Sequence, residues 1–271
     1  MKQTLALTIT SNEGMPGVYL IWLEAPQIVS EVKAGQFAMV RCGEDALLSR
    51  PLSVHQIDGN KLALLVNVVG KGTEWLSQRK QGDIVELFGP LGNGFSIKST
   101  SHNVLLVAGG IGIAPLRFLA DEAVKQGRTV TLLMGAASTV HLLPEPIDSA
   151  GRGLPTGGVL PWGITILKST DDGSEGYKGL VTQLLLEKQL IDGADQVFAC
   201  GPLPMYQTMA QMPELKEKLV QISLEIMMGC GRGLCYGCTI KTRQGQKKVC
   251  QDGPVFDLQD VLWDDLVFTT G

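Results

Sequence analysis

Four cysteines occupy one short C-terminal stretch: Cys230, Cys235, Cys238 and Cys250, spaced C-x4-C-x2-C-x11-C within GCGRGLCYGC and KKVCQDGP. Four thiolates this close can hold a metal centre, and C-x4-C-x2-C with a more distant fourth Cys is a spacing that binds a 2Fe–2S cluster. Such a centre exchanges one electron at a time. Structural zinc is the competing use, because four thiolates also suit a tetrahedral ion. Zinc sites are usually built from two separated pairs, however, whereas here three cysteines fall together and the fourth stands apart. Gly229, Gly231, Gly233 and Gly237 let the backbone wrap closely and turn N–H groups toward sulfur, which raises a cluster's potential. The spacing favours a one-electron centre held by these four residues.

Other groups could also do chemistry, each with a plainer use beside it. Gly109-Gly110-Ile111-Gly112-Ile113-Ala114-Pro115 follows an apolar run and opens a helical pattern. Such a loop lets backbone approach a pyrophosphate at a helix N-terminus, although Pro115 stands where G-x-G-x-x-G has its third glycine. The plainer use is a tight strand-to-helix turn, and placement at a strand's carboxyl end favours a nucleotide. Cys200-Gly201-Pro202 ends another apolar run; a buried Cys there is usually inert packing, yet it faces the region where ligands bind. Arg50-Pro51-Leu52-Ser53 offers a phosphate-binding fork and a small donor, or simply a turn with a solvated Arg. Gly70-Lys71-Gly72-Thr73 reads as a hairpin or a phosphate cradle. Cys42 reads as core. The three His are scattered, and although His55 lies near Arg50, no His/Asp/Ser grouping suggests hydrolysis.

The elements that must position these groups fall into three segments. Over residues 1–98, Val18–Leu23, Phe37–Cys42, Leu62–Val69 and Ile84–Phe88 are β-rich runs between Gly and Asp turns, which predicts a small antiparallel barrel closed by Gly89–Phe95. Over 99–222 the pattern alternates: strands at Val104–Ala108, Thr129–Met134, Ile164–Leu167 and Gln196–Ala199, with helices from Pro115 to Gly127 and near Leu180–Leu190. That rhythm predicts a parallel sheet covered by helices. Ser138–Trp162, rich in Pro and Gly, reads as a surface excursion. The third segment, 223–271, holds the cysteines and ends in a short strand or helix with Trp263 and Phe268. The fold expected is therefore β + α/β: an antiparallel barrel, a parallel-sheet α/β nucleotide-binding domain and a cluster segment.

Composition narrows the function classes. The chain has 271 residues, 44% hydrophobic and 18% charged, enough for buried cores. A formal net charge of -4 lacks the basic face that nucleic acid requires. The N-terminal MKQTLALTIT is too polar for a signal peptide, and no apolar run is long enough to span a membrane. A reducing cytoplasm is expected, where clustered cysteines bind metal more often than they form disulfides.

Taken in order, the motifs RPLS, GKGT, FGPLGNGF (Phe88–Phe95), GGIGIAPL (Gly109–Leu116), TDDGSEGYKG (Thr170–Gly179), CGPLPM (Cys200–Met205) and the run from Ser223 to Phe256 resemble the ferredoxin–NADP reductase superfamily. The cysteine run is most similar to its branch of electron-transfer subunits of bacterial NAD-dependent dihydroorotate dehydrogenases. The resemblance covers nearly the whole chain. It implies that Arg50, Pro51, Leu52 and Ser53 bind FAD, with Arg50 near the pyrophosphate and Ser53 near the isoalloxazine. It places Leu65, Val66 and Asn67 along the flavin, and Gly72 and Thr73 around its phosphates. Gly110 and Gly112 would face the NAD pyrophosphate, Cys200 would lie near the nicotinamide, and the four cysteines would hold the 2Fe–2S cluster. Where this family often has Tyr-Arg, Val66 and Asn67 stand here, so an Arg contact to FAD is lost. Asp171 and Asp172 would disfavour a 2′-phosphate if they lie near the ribose. The resemblance further implies a partner, an FMN-containing catalytic subunit that oxidises dihydroorotate in pyrimidine (UMP) biosynthesis, with two copies of each subunit. A subunit of a ferredoxin–NADP transhydrogenase or a sulfide dehydrogenase shares the same motifs and is the alternative.

Overall fold

Along Ile84–Leu91 burial alternates, with Val85, Leu87 and Leu91 inside and Ile84, Glu86 and Phe88 more exposed. One face in a core and one outside is what a period of two produces in a half-buried strand. Six such strands close on themselves: β1 (Lys2–Met15), β2 (Val18–Glu24), β3 (Phe37–Val40), β4 (Arg50–Asp58), β5 (Lys61–Asn67) and β6 (Ile84–Leu91), in the order β1-β2-β5-β4-β3-β6. Closure removes the unpaired edges an open antiparallel sheet would carry. The computed structural model describes residues 2–43, 47–144 and 159–266. The barrel agrees with the sequence, but β1 and β4 were not anticipated. RPLS, for which a turn was the plainer of two uses, is the first part of a strand. Two short helices also interrupt the barrel, α1 (Pro26–Val29) and α2 (Lys71–Ser77), and the second begins within GKGT.

The next part is an α/β unit. β7 (Asn103–Gly109) is buried from Val104 to Ala108, as a strand covered on both faces should be. It pairs in parallel with β8 (Thr129–Ala136) on one side and β11 (Gln196–Cys200) on the other, while β9 (Thr165–Thr170) extends the sheet from β8, followed by the two-residue β10 (Tyr177–Lys178). The register brings the carboxyl ends together: Gly109 is opposite Gly135, Ala108 opposite Cys200, and Ala136 opposite Thr170. The helices are α3 (Ile113–Lys125), α4 (Val181–Glu187) and α5 (Leu203–Gln211). Of the 138–162 excursion, Thr139–His141 is a 3-10 turn, and residues 145–158 lie outside the described residues.

The C-terminal segment follows β12 (Leu219–Ser223). It contains a hairpin of β13 (Thr239–Thr242) and β14 (Gly245–Lys248), then α6 (Val249–Asp252) and β15 (Val255–Asp257), whose residues pair antiparallel with Gln221–Ser223. Trp263 opens a final 3-10 turn and donates its ring N–H to the Leu258 carbonyl at 3.0 Å; Phe268 lies outside the described residues. The chain forms two compact units: one holds Tyr19–Phe95 together with the segment from Gln221 onward, and the other holds Ser96–Val220. Among the described residues no helix is long and apolar enough to cross a membrane.

Candidate functional site

The cysteine loop is shaped by backbone that only glycine adopts easily. Gly231 and Gly233 have φ of 62° and 73°, in the left-handed region. A Cβ on Gly231 would collide with the Met39 side chain, and one on Gly233 with that of Gln251. The loop can therefore lie close and turn its N–H groups to sulfur. Arg232 and Leu234 each donate to Cys230 Sγ at 3.4 Å, and Gly233 donates to Cys250 Sγ at 3.2 Å. The hairpin β13–β14 returns the chain so that α6 carries Cys250 to Cys238, where the Cys250 N–H meets Cys238 Sγ at 3.4 Å.

All four cysteines are free thiols, and they are set two and two. Cys235 hydrogen-bonds Cys230, and Cys238 hydrogen-bonds Cys250. Among the described residues no three His, Cys, Asp or Glu side chains gather around a single ion position. Two sulfur pairs ringed by N–H donors fit a centre of two irons better than one tetrahedral ion. Burial works against ionising Cys230, but the N–H groups of Arg232, Cys235 and Leu234 and the Cys235 thiol outweigh it and bring its pKa down to about 6. Burial, then the Cys238 hydrogen bond, pushes Cys250 up to about 12 despite the Gly233 N–H. Around the loop, Met227, Leu234 and Tyr236 are 72%, 74% and 65% exposed, an apolar rim at which Cys235 is also exposed.

The flavin-type motifs meet on the barrel. Arg50 to Ser53 are half-buried, whereas Val54, His55 and Gln56 just beyond them are buried, so the start of β4 is open and its continuation is core. Register sets Arg50 opposite Val40 and Ser53 opposite Phe37. A Cβ on Gly72 would come within 3.2 Å of Arg50 Nε and 3.3 Å of Cys42 Cβ, so RPLS and GKGT form one site with the guanidinium against bare backbone. One arm of that guanidinium donates to the Leu48 carbonyl at 2.6 Å. A cation beside the bare backbone of Gly72 suits a pyrophosphate. The Thr73 hydroxyl is used by the loop itself, accepting from the Val69 and Gly70 N–H groups at 3.0 and 3.2 Å and donating to the Gly70 carbonyl at 3.0 Å. On β5, Leu65 and Val66 are buried and Asn67 is exposed, so Asn67 alone of the three offers its side chain to a ligand. Cys42 is core, as expected, and burial pushes its thiol up to about 11, with Arg50 acting the other way.

A cavity of about 250 Å³ opens at the carboxyl ends of the parallel strands, where α/β sheets bind ligands. Its lining includes Gly110, Gly135, Asp171, Thr182, Pro202 and Met205. Gly110, at φ 55°, has open space where a Cβ would be, whereas a Cβ on Gly112 would run into the Cys200 carbonyl. Of the two expected to face a pyrophosphate, Gly110 lines the cavity and Gly112 packs the loop onto Cys200–Gly201. The Gly201 N–H donates to the Tyr206 hydroxyl at 2.9 Å, holding that second loop. The Cys200 side chain is wholly buried. Asp171 lies at the cavity; Asp172 instead turns to Ser174, accepting from its N–H at 2.9 Å and its hydroxyl at 2.6 Å, which holds its carboxyl below the usual range. Pro202 belongs to the Cys200–Pro202 turn already expected to face a ligand; sequence reasoning did not single out Thr182 or Met205 as wall residues. It also missed Ser169, whose buried hydroxyl has no hydrogen-bond partner.

Comparison with known proteins agrees with this geometry. Residues 225–262 match the iron–sulfur cluster binding domain of dihydroorotate dehydrogenase B, and residues 106–211 match an oxidoreductase NAD-binding domain. The chain is 38% identical over 257 residues to a dihydroorotate dehydrogenase B (NAD(+)) electron transfer subunit from Desulforamulus reducens, covering 92% of this chain and 94% of that one. A subunit of the same name from Geobacillus sp. is 36% identical, covering 97% and 99%. Among solved structures, a chain of an NADH-dependent reduced ferredoxin–NADP oxidoreductase, studied for flavin-based electron bifurcation, superposes with a TM-score of 0.81 at 29% identity, covering 97% of this chain and 91% of that one. A ferredoxin–NADP reductase from Neisseria gonorrhoeae with bound FAD and NADP shares the fold at a TM-score of 0.59 and 17% identity, covering 77% and 89%.

Proposed function

The chain belongs to the family of dihydroorotate dehydrogenase B (NAD(+)) electron transfer subunits, and from that premise we propose that it carries electrons from a dihydroorotate-oxidising partner through a 2Fe–2S cluster and FAD to NAD, in pyrimidine biosynthesis. The observation that carries this reading is the coincidence of chain-long identity with a cysteine loop whose sulfurs are paired and ringed by N–H donors. When bound, the cluster supplies one-electron exchange and FAD both one- and two-electron exchange, so electrons arriving singly can leave as hydride on the nicotinamide.

The chain's own residues supply position and charge. Cys230, Cys235, Cys238 and Cys250 ligate the cluster in the segment 223–271. In the barrel, 1–98, Arg50 holds the FAD pyrophosphate against Gly72. Pro51, Leu52 and Ser53 line the open start of β4, with Ser53 beside the isoalloxazine. Leu65, Val66 and Thr73 act through backbone and shape, and Asn67 through its side chain. In the α/β part, 99–222, Gly110 receives the NAD pyrophosphate, while Gly112 and Cys200 set the wall beside the nicotinamide. Asp171 stands where a carboxylate would repel a 2′-phosphate, which favours NAD over NADP. The exposed rim of Met227, Leu234 and Tyr236 is the surface on which the partner docks, since electrons must leave or enter near Cys235. The partner contains FMN, and the complex holds two of each subunit in the cytoplasm.

This chain then has no dihydroorotate site of its own. Purified alone it should absorb as flavin plus 2Fe–2S and reduce dyes with NADH without forming orotate; orotate production by the isolated chain would overturn the reading. A second reading, the FAD and 2Fe–2S subunit of a ferredoxin–NADP transhydrogenase type complex, is favoured by the fold match at 29% identity. Co-purification separates the two, because an FMN-containing partner that restores dihydroorotate-dependent NAD reduction belongs only to the first.

A further inference from the structure

Lys248 closes a short relay onto the cluster loop. It is the last residue of β14, half-buried, and its Nζ donates to the Gly233 carbonyl at 3.1 Å. That carbonyl belongs to the peptide whose other end is the Leu234 N–H, which donates to Cys230 Sγ at 3.4 Å. A cation on the oxygen end of a peptide draws electron density toward itself and makes its N–H a stronger donor. The preceding N–H, that of Gly233, donates to Cys250 Sγ, so the two N–H groups flanking the clamped carbonyl reach both sulfur pairs. The residue is held in place from two further sides. Its ammonium lies 4.9 Å from the centre of the Tyr236 ring, and its backbone N–H donates to Asp252 Oδ2 at 2.7 Å. Asp252 brings a negative charge to the same corner, and Arg232, 4.5 Å over the Phe88 ring, brings a second cation to the loop.

We propose that Lys248 is a positioning residue that raises the cluster's reduction potential, acting through the Gly233–Leu234 peptide and by its own charge. This rests on the four cysteines ligating a 2Fe–2S cluster. Hydrogen bonds to sulfur and nearby positive charge both stabilise the more negative, reduced centre. Its neighbours fix the lysine's geometry, so the effect belongs to the folded loop and not to general surface charge.

Three variants of the full chain, purified anaerobically with cluster content and visible spectra recorded first, test the proposal by redox titration. Lys248→Met removes the charge and the donor; Lys248→Gln keeps a donor for the Gly233 carbonyl without charge; Lys248→Arg keeps both. The midpoint potential should fall furthest in the Met variant, by roughly a tenfold change in the oxidised-to-reduced ratio, about 59 mV for one electron. Gln should fall between, and Arg should stay near the parent. A Met variant with full cluster content and an unmoved potential overturns the proposal. So does a Met or Gln variant that loses the cluster, because Lys248 would then be a structural part of the loop. If the parent itself carries no 2Fe–2S spectrum, it is the ligand assignment that fails, and Lys248 is not at issue.

Discussion

The cluster loop and the nucleotide cavity solve the same problem, presenting N–H groups and space to a negatively charged group, with opposite materials. In the loop, side chains carry the chemistry and glycines serve them: two sulfur pairs lie close together because Gly231 and Gly233 let the backbone turn around them. In the cavity, the glycine loop leaves bare backbone at the wall: Gly110 faces open space, and Gly112 is pressed so close to the Cys200 carbonyl that no Cβ fits. A site made of side chains fails through its ligands; a site made of backbone fails through its packing.

The largest effect should come from the ligands. Cys238→Ser or Cys250→Ser removes one sulfur of a pair whose partner is also buried, and the cluster should be lost outright. Visible and electron-paramagnetic spectra should lose the 2Fe–2S signal, and electron delivery from the partner should stop. NADH-dependent dye reduction should persist, because the nucleotide cavity uses none of these residues. Loss of dye reduction as well would mean that the two sites are not independent.

Next come the two glycines, which divide the cavity's packing from its opening. Gly112→Ala forces a methyl into the Cys200–Gly201 backbone, neither part of which can yield as a flexible side chain can, and should cost about 3 kcal/mol or more. Gly110→Ala meets nothing and carries only the penalty of a left-handed backbone, roughly 1–2 kcal/mol. Thermal melts should rank the variants in that order, with flavin and cluster content unchanged in the Gly110 variant. Equal losses would show that the loop, and not its contact with Cys200, limits stability.

This contrast also explains what could be read before the fold was known. Cysteine spacing is chemistry written in residue types, so the cluster was legible. The barrel and parallel sheet were legible where apolar runs were continuous, as in Val104–Ala108. β1 was not, because more than half of Lys2–Met15 is polar. β4 was hidden by Pro51, a residue that demotes a strand unless it stands near the start, as it does here. GKGT looked like a hairpin or cradle because Gly70 and Gly72 are poor helix residues; the Thr73 hydroxyl, bonded three ways to the loop, is what starts α2 there. In the cavity, which glycine lines the space and which packs depends on Cys200, far along the chain, and no local pattern carries that.

A third test bears on the one charged side chain that the described residues place in the cavity wall. Asp171→Ser removes a carboxylate that would repel a 2′-phosphate, so kcat/KM for NADPH should rise about tenfold, while that for NADH falls less. Asp172→Ser is the control: its carboxylate is turned to Ser174, and nucleotide preference should stay where it is. A preference that follows Asp172 instead would place the ribose on the other side of the turn.

The smallest effect should fall at Ser169, behind the cavity wall. Its hydroxyl is buried without a partner, 3.3 Å from where a Gly135 Cβ would stand, and Gly135 and Val181 both line the cavity. An unmade hydrogen bond in the interior costs more than an absent hydroxyl. Ser169→Ala should therefore stabilise the chain, by about 1 kcal/mol, and raise its melting temperature by a few degrees. In the cluster loop, where the Arg232, Gly233, Leu234 and Cys250 N–H groups each reach a sulfur, no comparable change should gain anything. A lowered melting temperature for Ser169→Ala would mean that the hydroxyl is bonded in solution.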